Sequence, residues 1–245
     1  MWLRFALDKQ AKEIVFDGVS YEYSDSSDFQ NFTSQSLVTL ELRYCIIFPQ
    51  LQVNLGSLKK LIFNRTDMCE EAFEQFICGC PSLEELCIVE PYSISNLRFS
   101  APNIRKLSLV LTEDEPSNAT WLFDFPNLKT LELEIVRIPE VIDVSSVLDV
   151  YLKWLYVDEY DEDELRMFDI FLEKFSHCEV FQLSLDASEP FFHAIDDLHL
   201  LQIRWKCVVL GLRIFCQSCL LGFYQLMRST KHLEELTIVR HYFDL

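Results

Sequence analysis

One apolar pattern recurs along this chain and limits what it can fold into. In CPSLEELCI, Cys80 to Ile88, the residues Leu83, Leu86 and Ile88 follow a Leu-x-x-Leu-x-Ile spacing. The same arrangement returns, with changed polar residues, in AKEIVFD, SLVTLEL, SLKKLIF, NIRKLSL, NLKTLEL, YLKWLYV, EVFQLSL, VVLGLRI and HLEELTI. Their central apolar residues are Ile14, Leu40, Leu61, Leu86, Leu107, Leu131, Leu155, Leu183, Leu212 and Leu236, with successive centres 21 to 29 residues apart. Ala72–Ile88 also aligns without a gap to Gly222–Ile238, sharing a Phe, a Gln and Leu-Glu-Glu-Leu.

The last two apolar positions of each copy alternate with polar ones, which is the period of a short half-buried strand. A lone strand of this kind buries little, so neighbouring copies must stack into a parallel sheet over a shared interior. The spacing is that of a leucine-rich repeat, typically about 20–29 residues. The expected fold is therefore an α/β leucine-rich-repeat solenoid. It has about ten short strands in one curved parallel sheet, with helices and irregular segments on the convex side.

Three return legs carry apolar residues at helical steps: Glu70–Cys78, with Phe73, Phe76 and Ile77, Asp163–Phe175, and Leu220–Arg228. Asp67 before Glu70, and Asp161 before Glu164, read as capping signals. Gly79 is placed to end the first helix in a left-handed cap. FSAPNIRKL and FDFPNLKTL read as short irregular legs, since Pro102 and Pro126 stop a helix just before the strand. Tyr21–Ser36 is polar and reads as an exposed loop, and an extra strand-like LHLLQIR centred on Leu201 falls between two copies. The expectation is a single repeat domain over residues 1–245, irregular at 139–206.

Composition narrows the partners. The net charge of −18 disfavours a nucleic-acid backbone or an anionic membrane and suits a basic protein. Nine cysteines, an odd number with several in apolar runs, fit reduced thiols in a cytoplasmic or nuclear protein. MWLRFALDKQ lacks the pattern of a signal peptide. The most apolar stretch, Cys207–Met227, contains Arg213, Gln217 and Ser218, so it reads as a buried strand followed by a helix and not as a membrane span.

No constellation suggests an enzyme, a cofactor or a metal. Cys216-x-x-Cys219 has no second ligand pair beside it, and the five histidines are scattered. The acidic run Asp158–Glu164 lacks the Gly and distal Glu of a calcium loop and reads as a solvated helix lead-in. Asn31-Phe-Thr33, Asn64-Arg-Thr66 and Asn118-Ala-Thr120 are formal glycosylation sequons that matter only in a secreted chain.

What remains is the outward face of the strands. The candidate partner-binding residues are Lys60, Glu85, Lys106, Glu132, Trp154, Tyr156 and Gln182. Trp154 and Tyr156 alternate in KWLYVDEY, which places both on one side of a strand. Exposed aromatics beside carboxylates suit a protein partner, and a neighbouring loop covering them is the other reading.

These residues resemble the leucine-rich-repeat region of plant F-box/FBD/LRR proteins. WLRFALDKQAKEIVFD resembles the segment that follows the F-box and its linker, and SLVTLELRYC, LGSLKKLIF and EEAFEQFICGCPSLEELCIVE follow the first repeats in order. Gly79, Cys80, Pro81, Ser82, Leu83, Glu84, Glu85 and Leu86 match the strand entry "gCPsLEeL". APNIRKLSL, FPNLKTLEL and LLGFYQLMRSTKHLEELTI resemble later repeats. The likeness is strongest up to Ile138 and more irregular from Pro139 to Lys206. It implies non-catalytic protein–protein recognition, as the substrate-selecting part of a Skp–cullin–F-box ubiquitin ligase. The F-box and the FBD segment are expected to be absent from this chain, so the Skp adaptor is a partner only through an F-box elsewhere in a full-length protein. The alternatives are a ligase-independent interaction scaffold or decoy and, from the sequons alone, an extracellular ligand-binding domain.

Overall fold

Each Leu-x-x-Leu-x-Leu copy has β-branched or leucine residues on one parity and charged or small polar residues on the other, so it settles as a strand with one dry face. The structure, a computed structural model, describes residues 2–18, 31–49, 52–92, 96–111, 120–136, 144–154, 170–185, 207–212, 224 and 233–240. The chain divides into two compact units: residues 1–128 with 139–143, and residues 129–138 with 144–245.

The first unit opens with α1 (Trp2–Asp8), β1 (Glu13–Asp17), β2 (Asn31–Thr33), β3 (Thr39–Arg43) and β4 (Ile46–Ile47). It continues with β5 (Gln52–Asn54), β6 (Lys60–Asn64), β7 (Asp67–Met68) and α2 (Glu70–Cys78). It closes with β8 (Glu85–Val89), β9 (Asn96–Ser100), β10 (Lys106–Leu111) and β11 (Thr120–Asp124). β1, β3, β6, β8 and β10 lie side by side in parallel. Their register pairs Ile14 with Leu40, Leu40 with Leu61, Leu61 with Leu86, and Leu86 with Leu107. The four leucines are essentially inaccessible, as are Leu42, Phe63, Ile88 and Leu109 two residues on, and Leu37, Leu58, Leu83 and Ile104 three residues before. Every apolar position of the repeat therefore faces one continuous interior, and each fully buried side chain contributes roughly 1.5–3 kcal/mol relative to exposure.

The second unit holds β12 (Thr130–Ile135), β13 (Asp149–Trp154), β14 (Val180–Leu185), β15 (Cys207–Leu212) and β16 (Glu235–Arg240), again parallel and side by side. Here the register departs from the expected centres. Leu131 pairs with Val150, Val150 with Phe181, Phe181 with Val208, and Val208 with Leu236. The repeat centres are thus Val150, Phe181 and Val208 and not Leu155, Leu183 and Leu212. The shifts at Leu183 and Leu212 are even and keep the faces. The shift at Leu155 is odd, and an odd slip exchanges inside for outside.

What anchors the register is a four-residue turn ahead of β6, β8, β10, β12, β13 and β14. It begins on a buried residue, and the amide three positions on bonds back to it. In the first unit the amides of Leu58, Leu83, Ile104 and Leu128 donate to the carbonyls of Leu55, Cys80, Ala101 and Phe125 at 3.0–3.2 Å. In the second, Val147 and Cys178 donate to Val144 and Phe175 at 3.0 Å. Pro81, Pro102 and Pro126 occupy the second turn position, where a fixed φ is favourable. In the first unit the third position is Ser or Asn, and its side chain donates to the turn of the preceding repeat: Ser57 Oγ to Gln35 O (2.8 Å), Ser82 Oγ to Gly56 O (2.7 Å), Asn103 Nδ2 to Pro81 O (2.7 Å), and Asn127 Nδ2 to Pro102 O (2.8 Å).

The return legs differ from expectation in four ways. Those before Pro102 and Pro126 are not irregular: they contain β9 and β11, paired in parallel with each other. β2 pairs with β5, and β4 with β7, in the same manner. Neighbouring legs of equal length can satisfy each other's backbone groups, which an irregular leg cannot. Second, the end of Tyr21–Ser36 is not an exposed loop, because Asn31–Thr33 is β2 and Phe32 is fully buried. The Phe32 ring meets Phe76 of α2 at 4.7 Å between centroids, and Phe76 meets Phe63 at 5.3 Å. Third, α2 has the expected span, but its N-cap is Cys69 without a side-chain cap. Asp67 is held in β7 against Ile46 and so is unavailable to cap. Glu70 and Glu71 still suit the positive helix N-terminus.

Fourth, Gly79 is not left-handed, with φ −77° and ψ −4°. Glycine is needed there for space: a Cβ would lie 2.5 Å from Cβ, Cγ1 and O of Val53.

In the second unit residues 170–174 are helical, with Phe171, Leu172 and Phe175 buried, in agreement with the end of the Asp163–Phe175 helix. Tyr224, within the expected Leu220–Arg228 helix, is helical as well. Asp161, Glu164, the acidic run, Leu201 and the Cys216–Cys219 pair lie outside the described residues. Cys207–Leu212 is the strand expected at the start of the most apolar stretch. Among the described residues no helix is long and apolar enough to cross a membrane.

Candidate functional site

Alternation along each strand leaves three outward rows on each unit. In the first unit, Glu13, Thr39, Lys60, Glu85 and Lys106 stand in register across five strands. Three of the expected residues, Lys60, Glu85 and Lys106, are therefore direct neighbours, all half-buried. Lys60 Nζ lies 3.3 Å from Glu85 Oε2, and one residue earlier Lys59 Nζ lies 2.9 Å from Glu84 Oε1. The Lys59 hydrogen bond holds the Glu84 carboxyl below the usual carboxylate range. From β6 to β10 the row is thus an alternating charge ladder across repeats.

In the second unit, Glu132, Tyr151 and Gln182 stand in register. Glu132 and Gln182 are half-buried, and Tyr151 between them is 38% exposed. Two residues further on, Lys153 is exposed and its Nζ reaches Glu134 Oε1 of the adjacent strand at 2.6 Å.

Trp154 is the correction. It shares parity with Val150 and Leu152, is only 5% exposed, and donates its indole N–H to Val136 O at 2.9 Å. It belongs to the interior, and the aromatic on the outward row is Tyr151. Tyr156 lies outside the described residues. The Leu152-x-x-Leu155-x-Val157 spacing is richer in leucine than Val147-x-x-Val150-x-Leu152, which drew the register to the wrong copy. The signal that would have found it is Ser146, the Ser or Asn that precedes the first apolar residue in Ser57-Leu58, Ser82-Leu83, Asn103-Ile104 and Asn127-Leu128.

All seven cysteines among the described residues are unbridged, and burial pushes the Cys45, Cys80 and Cys178 thiols up to about 12, so these three stay protonated near neutrality. Asp17 beside Cys45 and Asp149 beside Cys178 act in the same direction. Among the described residues no three His, Cys, Asp or Glu side chains gather to hold a metal ion. Of the sequons, Asn31 and Thr33 are exposed, whereas Thr66 is fully buried and donates its hydroxyl to Leu42 O at 3.2 Å.

Repeats of one strand each, stacked in parallel over a leucine interior, define a leucine-rich-repeat protein. Residues 1–117 match the family described as FBD-associated F-box protein At5g56370, LRR repeats. The chain is similar to the Arabidopsis thaliana F-box protein At5g03100, 26% identical over 62% of this chain and 48% of that protein. It is similar to the F-box/FBD/LRR-repeat protein At3g52680 of the same plant, 27% identical over 57% of this chain and 32% of that one. The F-box protein At4g27050, also from Arabidopsis thaliana, is 25% identical over 80% of this chain and 45% of its own length. The chain thus spans about half the length, or less, of these relatives. No solved structure matches it. Over residues 1–117, just under half of the chain, its repeats are similar to those of the plant F-box/FBD/LRR type.

Proposed function

We propose that this chain is a non-catalytic protein-recognition domain, the substrate-selecting part of an F-box protein in a Skp–cullin–F-box ubiquitin ligase. The observation that carries the reading is the outward strand face, where repeats with an apolar interior present differing side chains in register, such as Glu132, Tyr151 and Gln182. A rigid row of this kind binds without needing to order itself, which lowers the entropic cost of association. Its aromatic with flanking polar groups matches the composition of protein-binding patches. The net charge of −18 favours a basic protein over nucleic acid or an anionic membrane. Unbridged cysteines support a cytoplasmic or nuclear location. Skp docking belongs to an F-box, which the repeats do not supply.

The test is affinity capture from plant extract with the tagged chain, run beside Tyr151→Ala and Lys60→Glu variants of equal melting temperature. A protein partner retained by the parent and lost with either variant is expected. Equal capture by all three would remove the strand face. A partner captured by this chain but never stabilised when ligase activity is blocked would replace the ligase role with that of a scaffold or decoy. We also propose that residues 1–245 behave as one repeat domain, since neighbouring repeats share a core. A single unfolding transition is expected by calorimetry, and two separated transitions would overturn it.

A further inference from the structure

Beyond the strands of the first unit, the chain turns at the same place in three successive repeats. Tyr44, Arg65 and Glu90 each follow a strand directly and each adopt a left-handed backbone, with φ of 51°, 49° and 43°. None is a glycine, so the conformation is held by its surroundings. Tyr44 N donates to Asn64 O at 2.9 Å, Arg65 N to Val89 O at 2.7 Å, and Glu90 N to Val110 O at 2.8 Å. After the turn the chain runs extended again. Cys45, Ile47, Thr66, Met68 and Pro91 point inward, and Tyr44, Ile46, Phe48, Asp67 and Tyr92 lie on the opposite parity.

Register brings these outward residues into a small ledge. Ile46 pairs with Asp67 across β4 and β7, and Asp67 bridges to Tyr92. Ile46, Asp67 and Tyr92 therefore stand on neighbouring rungs, about 5 Å apart. Tyr44 and Phe48 flank Ile46 two residues to either side along the chain. Their exposures are 42% for Tyr44, 54% for Ile46, 50% for Phe48 and 41% for Tyr92. Single exposed apolar residues are ordinary, but four on adjoining positions make a patch.

The ledge is also charged in one sense. Arg65 is committed to Glu90 in an ion pair, with its guanidinium 5.9 Å from the centre of the Tyr44 ring. Asp67, at the centre of the ledge, has no side-chain partner among the described residues. The ledge therefore offers a carboxylate that is unpartnered among the described residues and framed by aromatic faces, on a chain of net charge −18. Arg65 displays on Tyr44 the contact that an incoming cation would make.

We propose that this ledge docks a basic, aliphatic-rich segment of a protein partner. An arginine or lysine head group pairs with Asp67 and stacks against Tyr92, and neighbouring aliphatic side chains cover Ile46 and Phe48. The inference rests on the protein-recognition reading and names a second surface for it, on the turns after the strands and not on the strands themselves.

The test uses the full chain and a fluorescein-labelled synthetic peptide of alternating leucine and arginine, with a leucine–glutamate peptide as comparator, read by anisotropy. The arginine peptide is expected to bind and the glutamate peptide not. Asp67→Asn, nearly isosteric, should weaken binding roughly fivefold, and Ile46→Ser, at an exposed position, roughly tenfold. Tyr151→Ala should leave it unchanged. The absence of binding, equal binding of both peptides, or indifference to both ledge variants overturns the inference. Loss with Tyr151→Ala alone also overturns it, while leaving protein recognition by the strand face standing.

Discussion

Gly79 and Val53 are in backbone-to-side-chain contact so close that no Cβ fits between them: one built on Gly79 would lie 2.5 Å from Val53 Cβ, Cγ1 and O. The same approach lets the Gly79 carbonyl accept the Leu55 amide at 2.9 Å, tying the end of α2 to the preceding repeat. Gly79→Ala, although compatible with the right-handed φ, should cost about 1–3 kcal/mol through overpacking. At Gly56 an added Cβ meets only the flexible end of Gln35 at 3.2 Å, so Gly56→Ala should be nearly neutral. Urea midpoints of the two variants would check this, and equal midpoints would contradict it.

Trp154 and Tyr151 should separate stability from binding. Trp154→Ala removes a buried ring and its hydrogen bond to Val136 O, and should cost roughly 3–5 kcal/mol. Tyr151→Ala, on the outward row, should change stability by about 0.5 kcal/mol or less. Chemical denaturation of each decides which aromatic is structural, and a destabilised Tyr151→Ala would reverse the assignment.

The Ser and Asn side chains ahead of the strands act as donors to the preceding turn. Asn103→Asp keeps the size and removes the donor to Pro81 O, so it should destabilise by about 0.5–1.5 kcal/mol, as should Asn103→Ala. If the aspartate variant matches the parent in denaturant midpoint, the rung contributes packing and not hydrogen bonding.

Buried thiols imply a loss of stability in alkali. With Cys80 pushed up to about 12 by burial, from an ordinary value of 9.0, the folded state holds the neutral form that the unfolded chain gives up. Its contribution is fully present below pH 9 and is lost as pH rises from there towards 12, by at most about 1.4 kcal/mol per pH unit. Cys45 and Cys178 act likewise. Cys80→Ala should therefore show a shallower decline of unfolding free energy above pH 9 than the parent, and parallel declines would count against a buried neutral thiol.

Much of the first unit was readable before any coordinates. The centres Ile14, Leu40, Leu61, Leu86 and Leu107 are in register as expected, and α2 spans the expected Glu70–Cys78. Lys60, Glu85 and Lys106 are neighbours because one spacing repeats without slippage. The second unit was harder, because its buried repeat centres include Val150 and Phe181 and a leucine-weighted pattern drifts to nearby leucines. That drift put Trp154 on the wrong face. The small sheets β2–β5, β4–β7 and β9–β11 had no local pattern long enough to announce them.

The sequence by itself determined that a short apolar strand unit must stack and, in the first unit, which parity of Leu-x-Leu faces the interior, because period two leaves only two faces and one of them is dry. Only the tertiary structure decided the register at Val150, the spatial need for glycine at Gly79, and the gathering of Tyr44, Ile46, Asp67 and Tyr92. Those depend on which residues of one repeat lie beside which of the next. Stacking many copies sets that alignment, and no single copy contains it.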